Sequence, residues 1–268
     1  MVSDLSIPLV EMLRVSRHFG QITALSEIDF AVYPGQVVAL LGDNGAGKST
    51  LIKILTGVHP PSEGRLFFAG RPVHLDSPHA GRELGIETVY QDLALVPLMS
   101  IGRNFFLGRE LTRRLGPFQI LDKAAMDLQV TRALSAIGIR IRNPDASVDT
   151  LSGGERQSIA IGRAIHFGTR LLILDEPTSS LSIGETRKVL GYIQEAGARG
   201  LAVIFITHNI HHVFAVAERL TILRRGRKVG DFARDDLTPD EAAKMIMGGN
   251  VPDPLHREVD EGQKPRGS

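Results

Sequence analysis

The sequence contains no cysteine. That excludes disulfides and thiolate metal sites and fits a reducing compartment. It also lacks an excess of either charge: Lys and Arg number 31 against 30 Asp and Glu, a formal charge of +1. A balance of that kind makes no general case for a nucleic-acid partner. The first twenty residues carry charges throughout and have no apolar segment of the type that directs secretion. No stretch approaches the roughly 18 consecutive apolar residues of a membrane span, so any membrane role comes through a partner. What remains is ordinary for a soluble globular chain: 268 residues, 43% hydrophobic and 23% charged. A chain of this length buries roughly three-quarters of its unfolded surface, enough for one core with a modest insertion.

Against that plain background, residues 42–50 read Gly-Asp-Asn-Gly-Ala-Gly-Lys-Ser-Thr. The context gives the motif its meaning. Val37 to Leu41 is an apolar run of strand size, and Lys48 to Thr56 opens a helical pattern. A glycine-rich turn between a strand and a helix aims backbone N–H groups, and the positive end of the helix dipole, at one spot. Lys48 is placed to reach the β- and γ-phosphates of a nucleotide, and the Ser49 hydroxyl to ligate Mg²⁺. Gly42, Asn44, Gly45, Ala46 and Gly47 would supply the cradle, with Thr50 closing it. The reading is a nucleoside triphosphate site.

The longest apolar runs, Val37–Leu41, Leu171–Leu174 and Ala202–Ile206, are all strand-sized and lead into helical patterns. Continuous apolar character predicts strands buried on both faces, hence a parallel sheet covered by helices. Segments 9–15 and 25–33 differ: Ile28, Phe30 and Val32 alternate with polar or small residues, as in an antiparallel sheet beside the core. From about 100 to 167 the pattern predicts helices and loops without a strand, with helices at 121–137 and 152–167. Gly226 separates two extended runs, 219–225 and 227–233, into a predicted hairpin. Thr238-Pro-Asp-Glu241 opens a last helix with a capping box and proline at its first position. Residues 251–268, polar and containing Pro and Gly, read as a disordered tail. No internal repeat is present, so residues 1–250 read as one nucleotide-binding unit with a helical subdomain at about 92–167.

Beyond the loop, Leu171-Leu-Ile-Leu-Asp175-Glu176-Pro177 ends a buried strand with two carboxylates. Ligands of open α/β sheets gather at the carboxyl ends of the strands. Asp175 suits a contact with Mg²⁺, and Glu176 suits polarising an attacking water; the alternative is an acidic pair capping the next helix. Leu151-Ser-Gly-Gly-Glu155 contains a capping box from Ser152 to Glu155. A cap alone does not call for Gly153 and Gly154, which cost up to about 1 kcal/mol each in a helix. Bare glycines there also let an anion approach the helix end, and both readings stay open on residue chemistry. Gln91 follows a strand end and either senses Mg²⁺ or water or is a solvated loop residue. His208 follows another strand and either bonds a γ-phosphate or is an ordinary loop histidine. His208, His211 and His212 have no accompanying carboxylate or cysteine and so make a poor metal cluster.

Taken in order, the loop Gly42–Thr50, Gln91, Leu151–Glu155, Leu171–Glu176 and His208 resemble the ATP-binding cassette family over about residues 8–235. The resemblance implies an α/β P-loop NTPase (RecA-like) fold: a parallel core sheet, an antiparallel β subdomain and an α-helical insertion. It implies an ATPase in which two copies sandwich two ATP head to tail. Each ATP then lies on Gly42–Thr50 of one copy and on Ser152, Gly153 and Gly154 of the other. Phe19 falls where the family places a ring stacked on adenine; a phenylalanine before Gly20 is otherwise a packing residue. The Gln91 region would pass motion to a membrane partner through a groove beside the helical insertion.

Two departures stand out. Where the family commonly runs Pro-Thr-Ser-Ala-Leu-Asp, this chain has Pro177-Thr-Ser-Ser-Leu-Ser182, so a carboxylate used across the dimer is missing at 182. Gln157-Ser158 replaces a commoner basic pair. More narrowly, Thr88–Pro97, Asn104–Arg109, Leu151–Ser158 and Phe205–Asn209 look like the ATPase subunits of bacterial monosaccharide importers of the ribose, xylose or fructose type. That likeness implies a multipass permease partner, an external sugar-binding protein acting indirectly, and a place on the cytoplasmic face of the inner membrane. Nucleosides, polyols or other small solutes are alternative cargoes. A soluble cassette ATPase acting on ribosomes or DNA is a further alternative, without the two cassettes, coiled-coil insertions or basic tails such proteins carry.

Overall fold

The computed structural model describes residues 7–141 and 143–249; the tail expected at 251–268 lies outside them. The chain opens with β1 (Val10–Phe19) and β2 (Ile22–Val32), whose inward residues, among them Met12, Val15, Leu25, Ile28 and Phe30, are buried. β3 (Val37–Leu41) is buried along its whole length and leads through the glycine loop into α1 (Lys48–Leu55). Then come β4 (Glu63–Phe68), β5 (Arg71–Val73), α2 (Pro78–Glu83) and β6 (Ile86–Val89). The insertion holds α3 (Ile101–Phe105), β7 (Thr112–Leu115), β8 (Phe118–Leu121), α4 (Lys123–Ala136) and α5 (Gly153–His166). The chain then returns to the core as β9 (Leu171–Asp175), α6 (Ile183–Ala198), β10 (Ala202–Ile206) and α7 (Ile210–Val216). It closes with β11 (Arg219–Arg224), β12 (Arg227–Ala233) and α8 (Pro239–Met247).

The central sheet has the order β12-β11-β3-β10-β9-β6. Its five inner and edge strands from β11 to β6 run parallel, and β12 pairs antiparallel to β11. Strand alternation divides the buried residues between two cores. Val38 and Leu40 face one, with Leu171, Ile173, Ile204 and the antiparallel sheet β2-β1-β4-β5. Val37, Ala39 and Leu41 face the other, with Leu172, Leu174, Phe205 and residues of α5, α6, α7 and α8. This double burial is why these strands read as unbroken apolar runs. Each Val, Leu, Ile or Phe side chain so taken from water stabilises the fold by about 1.5–3 kcal/mol.

The insertion has its own core, with Phe105, Phe106, Met126, Val130, Leu134 and Ile159 at its centre. Asp122 caps α4 by accepting from the backbone N–H of Ala125 at 3.0 Å. The expectation of a strandless stretch from 100 to 167 is corrected here: β7 and β8 form an antiparallel hairpin about Gly116 and Pro117. Each strand is only four residues long, and of the eight residues only Ile120 is not exposed. With both faces wet there is no alternation for a pattern to reveal.

Candidate functional site

Parallel register brings the functional residues to one end of the central sheet. Leu40 pairs with Ile206, Ile206 with Asp175, and Val89 with Leu174. The next residues out of these strands are therefore neighbours: the glycine loop after β3, Glu176 after β9, Thr207 and His208 after β10, and Tyr90 and Gln91 after β6.

The loop's glycines have steric reasons. Gly42 has φ +149°, and a Cβ there would lie 2.3 Å from the Leu223 carbonyl oxygen. Gly47, the N-cap of α1, has φ +106°, and its Cβ would meet a Leu25 methyl at 2.6 Å. Ala46 is buried, whereas Asn44, Gly45 and Ser49 are exposed along the open side, with Thr50 half-buried. Every other described α-helix begins with a side chain accepting from its N-terminal N–H groups; α1 has none, and no acid in its first turn. The positive end of α1 is thus left to an anion from outside.

Lys48 folds back to donate to the carbonyl oxygens of Gly42 at 2.7 Å and Asp43 at 3.0 Å. Burial pushes its ammonium below the usual lysine value, and Glu176, Asp175 and Asp43 act against that. Asp175 is held above the ordinary carboxylate value, first by burial and then by the neighbouring charge of Glu176, with Lys48 opposing. One cationic group thus serves two carboxylates, an arrangement that a divalent cation would relieve. Oxygen donors from Ser49 and Asp175 suit Mg²⁺, which binds few protein ligands and keeps its remaining positions for phosphates and water.

Glu176 adopts φ +50°, a left-handed conformation uncommon outside glycine. Its backbone N–H donates to Ile206 at 2.9 Å, which fixes the turn against β10. The carboxylate is largely enclosed, and Oε2 lies 3.0 Å from Nδ1 of the exposed His208. The same oxygen is sealed from solvent and makes no hydrogen bond of good geometry. Gln91 sits in the exposed loop beyond β6. That loop is fixed further on by Asn104, a fully buried side chain that bonds both Val96 N–H and C=O and the carbonyls of Met99 and Ser100. Phe19, at the end of β1, is 40% exposed. The Arg17 guanidinium lies over its ring at 4.7 Å and His59 stands edge-on at 5.3 Å.

Ser152, Gly153 and Gly154 stand apart from this cluster. Ser152 caps α5 in a complete capping box with Glu155. Ser152 and Gly154 line a cavity of about 820 Å³ between α5, α6 and the insertion, with no residue of the glycine loop in its wall. Within one chain the two phosphate-binding candidates are therefore separate.

Three residues whose roles sequence reasoning missed tie the site's loops together. His212 Nδ1 lies 3.0 Å from Thr178 Oγ1 and its Nε2 lies 3.2 Å from Asn209 Nδ2, linking the segment after Glu176 to the one after His208. Burial, with His211 and His208 nearby, lowers the His212 pKa and keeps the ring neutral at neutral pH. Only tertiary pairing reveals Thr178 and His212. The third, Glu185, stands three residues beyond Ser182, a capping-box spacing that was present to be read.

Comparison with known proteins identifies the family. The sequence profile of the ABC transporter family matches residues 25–179. The chain is 43% identical over 249 residues to the fructose import ATP-binding protein FrcA of Rhizobium meliloti, covering 91% of this chain and 96% of that protein. It is 42% identical over 238 residues to the xylose/arabinose import ATP-binding protein XylG of Sulfolobus acidocaldarius, covering 89% and 93%. Against the ribose import ATP-binding protein RbsA 1 of Burkholderia ambifaria, 37% identical over 250 residues, it spans 93% of itself but 48% of the relative. Among solved structures, the ADP conformation of MJ1267, an ATP-binding cassette of an ABC transporter, superposes with TM-score 0.77 at 21% identity, covering 91% of this chain and 96% of that one. The dimeric structure of MJ0796, a bacterial ABC transporter cassette, gives 0.69 at 22%, covering 84% and 98%. The chain belongs to the ABC transporter family and is one of its ATP-binding, ATP-hydrolysing cassettes.

Proposed function

We propose that this protein is the ATPase subunit of a monosaccharide importer, working on the cytoplasmic face of the membrane as a pair of copies docked to a multipass permease. The observation that carries the reading is the uncapped N-terminus of α1, facing Lys48, Asp175, Glu176 and His208 at one end of the sheet. The likeness to fructose and xylose/arabinose import proteins over nearly their whole length supports the cargo class. No described helix is long and apolar enough to cross a membrane.

ATP lies along Gly42–Thr50, its phosphates on the N–H groups at the start of α1, while Phe19 offers a ring face to the adenine. Lys48 exchanges the Gly42 and Asp43 carbonyls for the β- and γ-phosphates. Ser49 and Asp175, with Gln91, would hold Mg²⁺, which neutralises phosphate charge when bound. Glu176 takes a proton from water as its oxygen attacks the γ-phosphorus, and the bond to the bridging oxygen breaks, its electron pair leaving with ADP. His208, held by Glu176, bonds the γ-phosphate. Because Ser152, Gly153 and Gly154 stand apart from the loop of their own chain, the site is closed by the partner subunit's copies of those residues.

The groove that meets the permease has a volume of about 600 Å³, lined by Glu87, Tyr90, Arg109, Arg163 and Phe167 among others. It begins where the Gln91 loop leaves the sheet. The test is capture of the full chain from mildly solubilised membranes of its native host. A multipass permease with a sugar-binding protein supports the reading; ribosomal or DNA-repair partners with nothing from the membrane contradict it.

A further inference from the structure

Position 182 is serine, and a carboxylate from one helical turn on bonds it. Ser182 caps α6, and its N–H and hydroxyl donate to Glu185 Oε2 at 3.1 and 2.8 Å. Glu185 N–H donates back to Ser182 Oγ at 3.4 Å. A capping box occupies one oxygen of its acid. Here the other, Oε1, accepts from the backbone N–H of Gly154 at 3.0 Å, 31 residues earlier in the chain.

The packing matches that bond. A Cβ at Gly154 would lie 2.5 Å from Glu185 Cγ and 2.7 Å from its Cβ. The bare glycine therefore admits the Glu185 side chain across the first turn of α5, a role separate from access for a phosphate. At Gly153 the neighbour is Leu181, 3.5 Å from an added Cβ. One carboxylate thus lies against the positive ends of two long helices. Hydrogen bonds, led by that from the Ser182 hydroxyl, lower its pKa to about 2, so it is ionised at any physiological pH.

We propose that Glu185 is a positioning residue that fastens the Ser152–Gly154 corner of α5 to the 177–182 segment. The corner that closes on the partner's nucleotide and the segment continuing from Glu176 then move as one unit. This rests on the two-copy reading given above. It ties closure of one site to the hydrolytic strand of the other, because each chain offers its corner to its partner and its Glu176 to its own nucleotide.

The experiment compares Glu185→Ala and Glu185→Gln with the unaltered full chain. The measurements are melting temperature, binding of a fluorescent ATP analogue, and phosphate release at saturating MgATP across a range of protein concentrations. Glutamine still closes a capping box, but it is uncharged and does not hold both helix ends as a carboxylate does. The expectation is unchanged analogue binding for both variants, because the α1 loop is untouched. Glu185→Ala should lower kcat by roughly tenfold at nearly constant KM. Glu185→Gln should recover the melting temperature without recovering kcat, which a purely structural cap would not produce. Full kcat in either variant overturns the proposal. Faster turnover overturns it too, since the carboxylate would then be competing with the incoming phosphate. The unaltered chain reads the underlying assumption separately: full turnover per molecule at concentrations where sedimentation shows single copies refutes the two-copy site, whatever the variants do.

Discussion

Replacing Glu176 by glutamine isolates the chemistry from the fold. The substitution keeps the backbone bond from residue 176 to Ile206 and keeps the side chain's size in a pocket where Glu176 is 18% exposed. Among the described residues, it removes the one carboxylate that has an enclosed oxygen without a well-formed hydrogen bond and that lies 3.0 Å from His208. A positioned general base contributes about 10²–10⁴-fold to rate, which at 1.36 kcal/mol per decade is about 2.7–5.5 kcal/mol of barrier. Phosphate release at saturating ATP should fall by that factor. Binding of a fluorescent ATP analogue should persist or tighten, because a negative charge beside the phosphate site is gone. Turnover within threefold or so of the unaltered chain, with ATP bound, would refute the assignment, since a loss of that size lies below any general-base contribution.

Other consequences are as direct. Lys48→Ala should weaken the ATP analogue about 10- to 100-fold, the value of one or two charge-assisted bonds, as titration would read. Asp175→Asn should end hydrolysis yet raise the melting temperature of the nucleotide-free protein by a few degrees. Burial raises this acid's folded pKa, so its stabilising protonation is complete below the unfolded value near 3.9 and lost as pH rises through the folded one. The gain from asparagine should accordingly be present at pH 7 and shrink in acid. Asn104→Ala strips partners from Val96, Met99 and Ser100 inside the insertion and should cost about 2–3 kcal/mol in urea unfolding.

The strands of the central sheet were legible because burial on both faces demands unbroken apolar runs, as at Leu171–Leu174. The glycine loop was legible because its spacing serves contacts with its own neighbours. The β7–β8 hairpin was not, since its solvated strands leave no periodic trace. Nor were Thr178 and His212, 34 residues apart, whose link exists only once β9 and β10 lie in register. Glu185 lies between these cases. Its spacing from Ser182 announces a helix cap, but its second bond, to Gly154, depends on how α5 and α6 pack.

The proposed nucleotide site needs a second copy to complete it. The most direct measurement is MgATP hydrolysis per molecule by the unaltered full chain from dilute to concentrated protein, alone and with its permease. Completion by a second copy predicts turnover that climbs with concentration to a plateau, and that is already at the plateau when two copies are held on the permease. Hydrolysis at the plateau rate per molecule in samples that sedimentation shows to be single copies would contradict it.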